Sequence, residues 1–251
     1  MLSSAFPKRQ CKIYISQKKR CKIFFNTCIL VDNCKGKSYN TITRITVQIF
    51  LEREMQIQDV ATLKTGAVLS RLQKTEVGGQ MYRVLSLRNV DDDLGVINSQ
   101  DCGMMRFEEN ISDDLLSKRG DILVRLSAPY TAIYISDEAD IGLLVPSHFA
   151  VIHAADIDAK YLYAMIDSNE VRRQLYIEGS GSTTLGTISI KSISECEIPQ
   201  ISLQKQELIG KYHLEAKKEL RLLRRLWAEK RKLNRIQYAK LVRKIDKGEL
   251  V

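Results

Sequence analysis

Histidine and cysteine are two residue types in this 251-residue sequence that could serve metal binding or nucleophilic catalysis. Metal sites need ligands at short, recurring spacings, and neither residue type shows such spacings. Four of the six cysteines fall within the first 54 residues without a C-x-x-C pair, which favours free cytosolic thiols. These four are Cys11, Cys21, Cys28 and Cys34. The three histidines, which we interpret as structural or surface residues, are His148, His153 and His213.

A Gly-Ser-Gly-Ser-Thr-Thr stretch at 179–184 also suits ligand chemistry, because glycine lets backbone N–H groups approach a phosphate closely. The stretch lacks the lysine of a phosphate-binding loop. The sequence also has no glycine-rich cofactor loop in the right context and no aromatic-flanked Pro-Pro motif of an amino-methyltransferase. We therefore expect no catalytic residues, no bound metal and no cofactor. Taken alone, the stretch is interpreted as an ordinary flexible loop.

Charge is distributed unevenly along the chain. Residues 1–54 hold 11 Lys and Arg against 3 Asp and Glu, residues 55–203 hold 13 against 21, and residues 204–251 hold 15 against 6. Both ends are therefore basic, which favours contact with a polyanion, whereas the acidic body leaves only a local patch for such contact. No run of about 18 apolar residues exists, so we expect a cytoplasmic protein without a transmembrane helix.

Residues 1–54 differ in character from the rest of the chain. Short β-like runs alternate with lysine-rich patches, and no acidic residue precedes Asp32. Met55 then begins the segment MQIQDVATLKTG, which is typical of the start of a domain. Two explanations stay open: either Met55 is the native start and 1–54 is an upstream translated extension, or 1–54 is a basic arm that binds DNA.

Residues 55–203 predict a mixed α/β domain. The runs MYRVLSL and GDILVRL are rich in β-branched and apolar residues and predict strands. The segment 131–154 predicts two or three more strands, with turns at Asp137–Asp140 and Pro146–Ser147. The segment 156–176 has apolar residues at helical spacing and predicts one helix, capped by Asp156 or Asp158.

Residues 204–247 predict a single long helix, because the segment contains no proline and only Gly210 near its start. Such a helix would span roughly 65 Å. Its apolar residues cover a broad arc and fit a heptad register only in part, so we expect it to pair with a partner helix as a coiled coil with a drifting seam. The residues expected at that contact are Leu220, Leu223, Leu226, Trp227 and Leu233.

Four segments from Met55 onward carry a family resemblance in their order and spacing. They are YRVLSLRNVDDDLGVI at 82–97, LLSKRGDILVRLSA at 115–128, YLYAMIDSNEVRRQL at 161–175 and GSGSTTLGTISIKSISECEIPQISLQKQELI at 179–209. Together they resemble the specificity (S) subunits of type I restriction–modification systems: an early strand and turn, the "GDIL" strand, a helix, and then a loop and strand that enter the conserved helix. The chain departs from the family where a second Pro pair is usual, since Gln200 and Ile201 follow Ile198-Pro199.

The resemblance implies a half-subunit, because the family has two recognition domains and two spacer helices where this chain has one of each. Such a chain would pair as a homodimer, or with a second half-subunit, and would read a split target in double-stranded DNA. Two-fold symmetry predicts a palindromic target. The implied partners are methyltransferase subunits that modify adenine, and a restriction subunit as a further partner. Residues 1–54 have no counterpart in the family.

The resemblance also selects candidate DNA contacts. An arginine fork can pair with guanine in the major groove, whereas hydroxyls, lysines and backbone N–H groups contact phosphates. Asp91-Asp92-Asp93 would repel phosphate and is expected to lie away from the duplex. For each candidate the alternative is a solvated charge, a surface ion pair or an ordinary loop. The candidates are Arg83, Arg88, Arg106, Arg125, Ser180, Gly181, Ser182, Thr183 and Lys191.

The basic residues of the long helix leave three interpretations open: they line the DNA between half-sites, face acidic partner subunits, or form a solvated face. They include Arg221, Arg224, Arg225, Arg231, Lys232 and Arg235. Trp227 is expected to be buried against protein. Two other function classes compete with the S subunit: a non-catalytic adaptor that assembles through its helix, supported by the acidic body, and, more remotely, an enzyme with dispersed residues.

Overall fold

The computed structural model describes residues 54–180 and 186–247, and of Ser180 it describes the backbone alone. The two explanations for residues 1–54, and the four cysteines in that segment, therefore lie outside the described residues. What is described is an α/β domain followed by one long helix. The mixed α/β fold and the long C-terminal helix predicted from the sequence are confirmed.

The domain contains ten strands, most of them short. They are β1 (Glu54–Gln56), β2 (Ala61–Thr65), β3 (Gln80–Val84), β4 (Val90–Asp91), β5 (Val96–Ile97), β6 (Gly103–Phe107), β7 (Ile122–Arg125), β8 (Ala132–Tyr134), β9 (Phe149–Ala154) and β10 (Glu197–Pro199). Four of them form an antiparallel sheet in the order β2-β9-β7-β8, and the other six form three antiparallel pairs, β1-β10, β3-β6 and β4-β5. Of the two or three strands predicted within 131–154, the structure contains two, β8 and β9.

The inner strands of the four-stranded sheet, β9 and β7, are largely buried on both faces, which explains the continuous apolar run of β7. Ile122 and Val124 contribute to a core beneath the helices that follow the sheet, whereas Leu123 contributes to a second core on the opposite face. All three side chains are fully buried. A strand covered on both faces reads as an unbroken apolar stretch because neither face alternates with solvent. A third, smaller core lies between the β3-β6 pair and the residues around Leu144.

Four helices of four or more residues follow the sheet in the chain: α1 (Ala159–Ile166), α2 (Asn169–Ser180), α3 (Ile190–Ser194) and α4 (Leu203–Asp246). The single helix predicted for 156–176 is wrong in this respect, because it is two helices that break after Ile166. Asp158 is the cap of α1, since its carboxylate accepts a hydrogen bond from the backbone N–H of Tyr161. The break frees Asp167 for the ion pairs described below.

The segment after α2 also differs from the prediction. Gly179 and Ser180 lie in the last turn of α2 rather than in a loop. Gly179 is required there because a Cβ atom would lie 2.0 Å from the hydroxyl of Tyr130. The strand expected after the loop is instead the short helix α3, which Ser189 caps by accepting a hydrogen bond from the N–H of Ser192. Local capping by serine therefore overrides the β-like alternation of TISIKSIS.

Helix α4 docks on α1 through its first turns and then leaves the domain. The two helices approach closely at Gly210, where a Cβ atom would lie 2.6 Å from the backbone N of Tyr161. Beside this crossing, the buried amide of Gln206 accepts from the N–H of Asp158 and donates to the carbonyl of Ile201. Every residue from 222 to 247 is exposed. About half of the 44-residue helix is therefore not packed against the domain. In the described residues, no helix combines the length and apolar content needed to cross a membrane.

Candidate nucleic-acid interface

Two of the predicted DNA contacts, Arg83 and Arg106, lie on the paired strands β3 and β6. The backbone register places Arg83 opposite Met104 and Arg106 opposite Met81. Directly opposed residues of an antiparallel pair, and residues two apart on one strand, share a face. The two arginines therefore lie on one face of this pair. The opposite face carries Tyr82 and other residues of the third core.

Both of these guanidinium groups are held by backbone carbonyls. Arg83 Nη2 donates to the carbonyl oxygen of Ile141, and Arg106 Nη1 donates to the carbonyl oxygen of Gly78, each at 3.1 Å. Neither bond involves an acidic side chain. Each arginine keeps its positive charge uncompensated by an ion pair among those the structure describes.

Arg125 is in a different position from these two. Its Nη1 atom lies 2.6 Å from Asp92 Oδ2, and its Nε donates to the hydroxyl of Ser127 at 2.9 Å. Thr131 donates to the other oxygen of Asp92 at 2.5 Å. The side chain of Arg125 is only 18% exposed. Arg125 is thus placed to hold the acidic turn between β4 and β5 against the sheet.

The remaining candidates are scattered. Arg88 lies exposed in a short turn after β3, and Lys191 lies exposed on α3, 3.6 Å from Glu195. Ser180 ends α2, and Gly181, Ser182 and Thr183 lie outside the described residues. The structure therefore brings Arg83 and Arg106 together and does not join the others to them. The DNA contacts from the sequence stay predictions.

The acidic residues of the domain have a role that the sequence analysis missed: several of them face the basic helix. Arg224 of α4 lies 2.9 Å from Asp91 and 3.5 Å from Asp93, and Arg221 lies 3.2 Å from Asp137. The sequence shows the opposite net charges of body and helix, and it leaves three interpretations of the helix charge open: contact with DNA, contact with an acidic partner, or a solvated face. Two of its arginines instead pair with their own domain. The expectation that Asp91-Asp92-Asp93 lies away from a duplex stays a prediction.

Asp167, at the break between α1 and α2, is the centre of the largest of these ion-pair groups. Its carboxylate lies 3.0 Å from His213 Nε2 and 2.7 Å from Lys217 Nζ, both on α4, and it also pairs with Arg172 of α2. The side chain of Asp167 is 4% exposed. Burial alone would raise its pKa. The hydrogen bonds from His213 and Lys217 and the nearby positive charges outweigh that effect and lower the pKa to about 2.

The other histidines predicted to be structural or surface residues are placed as follows. His153 Nδ1 lies 2.7 Å from the buried carboxylate of Asp121, and His148 is exposed in a turn. Burial raises the pKa of Asp121, while a backbone hydrogen bond from Lys118 and the charge of His153 act in the opposite direction. Within residues 54–180 and 186–247, no three His, Cys, Asp or Glu side chains are grouped so as to hold a metal ion.

Asp140 shows how close the β3-β6 pair lies to the helix. This carboxyl is buried, and burial raises its pKa. The charge of Asp137 raises it further, while the charges of Arg221 and Arg83 lower it. Asp140 therefore lies within the electrostatic reach of an arginine of β3 and an arginine of α4. Arg83 donates to the carbonyl of Ile141 and Arg221 donates to Asp137, so both arginines contact the segment 137–141 that contains Asp140.

The predicted partner-binding residues of α4 all lie beyond or at the edge of its contact with the domain. The side chain of Trp227 is 60% exposed, and the guanidinium of Arg231 lies 4.6 Å from the centre of its ring. Leaving apolar side chains of this size exposed to water along so long a helix is energetically unfavourable. The five residues, each between 51% and 63% exposed, are Leu220, Leu223, Leu226, Trp227 and Leu233.

Comparison with known proteins assigns the fold. No protein-family model and no curated protein matches the chain. Among solved structures, a chain from a type I restriction–modification system, studied for its complex assembly and conformational transition, matches with a TM-score of 0.53 and 16% identity. That match covers 70% of this chain and 45% of the other. The HsdS subunit of Thermoanaerobacter tengcongensis matches with a TM-score of 0.53 and 17% identity over 70% of this chain and 44% of that one.

These matches define a class of fold: about 70% of this chain is similar in fold to a little under half of an HsdS specificity subunit of a type I restriction–modification system. HsdS of Thermoanaerobacter tengcongensis is one structure of this class to which the chain is similar. This chain spans less than half of the length of either structure. The pairing of the long helix as a coiled coil, which the sequence predicts, stays a prediction.

Proposed function

We propose that this chain is a DNA-recognition half-subunit that directs partner subunits to a split target sequence. The proposal rests on one combination of features: a fold similar to that of a specificity subunit, and a helix α4 whose outer half is exposed to solvent. A domain that reads half a target needs a second domain at a fixed distance, and a helix of about 66 Å whose outer half is exposed can set such a distance. The two arginines on β3 and β6, which bond to backbone carbonyls rather than to carboxylates, support a local DNA contact on an otherwise acidic body.

Pairing with a second chain follows from the exposed residues of α4. An isologous contact between two copies would cover the leucines and Trp227 on both helices at once. Such pairing gives the recognition domains two-fold symmetry, so the target would be a split palindrome. If a different half-subunit pairs with this one, the two halves of the target differ.

In this proposal, the partner subunits catalyse the reactions. The chain recognises DNA without catalysing a reaction, and methyltransferase subunits that bind S-adenosylmethionine modify adenine at the site that it selects. A restriction subunit would join the same complex for cleavage. The purified full chain is therefore expected neither to methylate DNA nor to hydrolyse ATP.

DNA binding by the full chain tests the proposal at its first step. Binding of duplex oligonucleotides drawn from a random pool should weaken steeply as salt rises, because phosphate contacts release counterions. A matched measurement on co-purified methyltransferase should show that the complex binds duplex more tightly than either component. If the chain captures the methyltransferase tightly but duplex affinity does not change with the chain present, the adaptor function is favoured and DNA recognition is rejected.

A further inference from the structure

The β3-β6 pair carries two exposed methionines beside its two arginines. Met81 is 47% and Met104 is 53% exposed, although methionine is ordinarily a core residue. Because Met81 opposes Arg106 and Arg83 opposes Met104, the four side chains form one patch with alternating charge and apolar character. We call this patch the ribbon face: Met81, Arg83, Met104 and Arg106.

The ribbon face is built on a rigid support. Tyr82, Val84 and Phe107 on the opposite side of the same two strands are buried in the third core. The hydroxyl of Tyr82 also accepts a hydrogen bond from the backbone N–H of Ile111 at 3.0 Å. The outward side chains therefore stand on strands that are fixed from behind. A fixed backbone lowers the entropy cost of presenting side chains to a partner.

The two arginines are oriented before any partner binds. In the described chain, each guanidinium makes one hydrogen bond to a carbonyl, Arg83 to Ile141 and Arg106 to Gly78. A guanidinium has five N–H donors, so a fork suited to two acceptors is still available on each. No acidic residue belongs to the ribbon face itself. A surface of this kind favours a partner that offers paired acceptors.

We propose that the ribbon face enters the major groove of double-stranded DNA and reads base edges there. This inference rests on the proposed function and assigns its reading surface. A two-stranded antiparallel ribbon fits the major groove, which is about 12 Å wide. Arg83 and Arg106 pair with the two acceptors of guanine, and Met81 and Met104 contact the methyl group of thymine. The alternative occupant is an apolar, acidic surface of a partner protein, whose carboxylates would also match the arginine forks, and the experiment below distinguishes the two occupants.

Substituting arginine by lysine separates the recognition of guanine from the electrostatic attraction to phosphate. Lysine keeps the charge that attracts phosphate but loses the fork that pairs with guanine. The variant Arg106→Lys should therefore bind bulk duplex as the wild type does. Its preference for guanine at one position of each half-site should fall at least about fivefold. The variant Met104→Ala should lower the preference for thymine at a neighbouring position.

The experiment is selection from a random duplex pool by the full chain, followed by sequencing, with wild type and each variant in parallel. Arg173→Lys is the matched control, because it makes the same exchange on α2, away from the ribbon face. Thermal melting of every variant checks the fold. Loss of one guanine preference in Arg106→Lys, with the control unchanged, supports the inference.

Three other results would overturn the inference, and they differ in what they leave standing. If wild type enriches a motif and both ribbon variants enrich the same motif equally well, the ribbon face does not read bases, while the proposed function survives. If wild type enriches no motif at all, the proposed function fails, and the ribbon inference falls with it. If the ribbon variants lose binding to the methyltransferase but keep the motif, the face is a protein-docking surface.

Discussion

Arg224 and Asp91, which are 133 positions apart in the sequence, join the long helix to the domain: one guanidinium nitrogen donates to both carboxylate oxygens at 2.9 Å. The turn that Asp91 begins is the same turn that Arg125 holds against the sheet through Asp92. Opposite net charges of body and helix therefore serve, at least in part, to fix the direction in which the helix leaves. If two copies pair through this helix as proposed, that direction sets the distance between their domains.

Removing this ion pair should loosen the turn without unfolding the domain. Both partners are more than a third exposed, Arg224 at 48% and Asp91 at 35%, so Arg224→Gln should lower the free energy of unfolding by less than about 1 kcal/mol. Hydrogen exchange at the amides of Asp93, Leu94 and Gly95, which bond to Asp91, should nevertheless become faster. The control is Arg225→Gln, next in the chain. Equal exchange rates in both variants would contradict the assigned role of Arg224.

Asp167 should matter far more for stability. Asp167→Asn leaves Lys217 and Arg172 close together without their shared carboxylate, and such a loss costs about 3–5 kcal/mol when the site is buried. The melting temperature should fall by many degrees. Asp156→Asn, at an exposed position before α1, should have little effect. A melting temperature for Asp167→Asn equal to that of the control would show that the ion-pair group contributes nothing to docking of the helix.

The same carboxylate predicts a pH dependence. The folded pKa of Asp167 is about 2, below its ordinary value of 3.8, so the folded state holds the proton less tightly than the unfolded state. Its contribution, about 2 kcal/mol for a shift of this size, is fully present above pH 4 and is lost as pH falls from about 4 towards 2. Denaturant unfolding at several pH values should show this loss in wild type. The Asp167→Asn variant should show a flatter curve over that range, and parallel curves would refute the assignment.

Gly210 should tolerate no side chain. Alanine normally favours a helix over glycine by about 1 kcal/mol, yet at this position its Cβ would lie 2.6 Å from the backbone of α1. We expect Gly210→Ala to destabilise the protein in spite of the better helix propensity. Gly103→Ala, where nothing lies within 4 Å of the added carbon, is the control and should be neutral within about 0.5 kcal/mol. A stabilised Gly210→Ala protein would mean that α4 does not pack closely on α1.

The outer half of α4 should mediate pairing of two chains. Leu223→Glu places a charge within the apolar arc and should convert a dimer into a monomer, as measured by sedimentation equilibrium. Ala228→Glu adds the same charge one turn beyond Arg224, on the side of the helix that Arg224 turns towards the domain, and should leave the dimer intact. If the wild-type chain is monomeric at every concentration measured, pairing of two chains through α4 is contradicted.

The sequence predicted the parts of this fold whose signals are local. The strand GDILVRL is a continuous apolar run that becomes β7, and the absence of proline after residue 203 predicted a helix that runs from Leu203 to Asp246. The sequence pattern gave a wrong prediction in two segments, where the same residues were compatible with more than one secondary structure. The helical spacing of 156–176 hides the break after Ile166, and the alternation of TISIKSIS hides the serine cap of α3.

Ion pairs between distant residues could not be predicted, because a charge pattern shows how many charges a segment carries but not which residues they face. The totals for body and helix were compatible with DNA, with a partner and with each other. Only the docking of α4 on α1 brings Lys217 to Asp167 and Arg221 to Asp137. Arg83 and Arg106 could each be chosen from the sequence as candidate contacts. That they share one face depends on the register of β3 with β6, which the sequence does not determine.

The most direct test of the central claim is a map of adenine methylation. The full chain is expressed together with a methyltransferase subunit from the same source in a host that lacks both, and modified adenines are located by single-molecule sequencing. We predict a split palindromic motif that is methylated when both proteins are present and unmethylated when this chain is omitted. A methylation pattern that is the same with and without this chain would contradict its role in choosing the target.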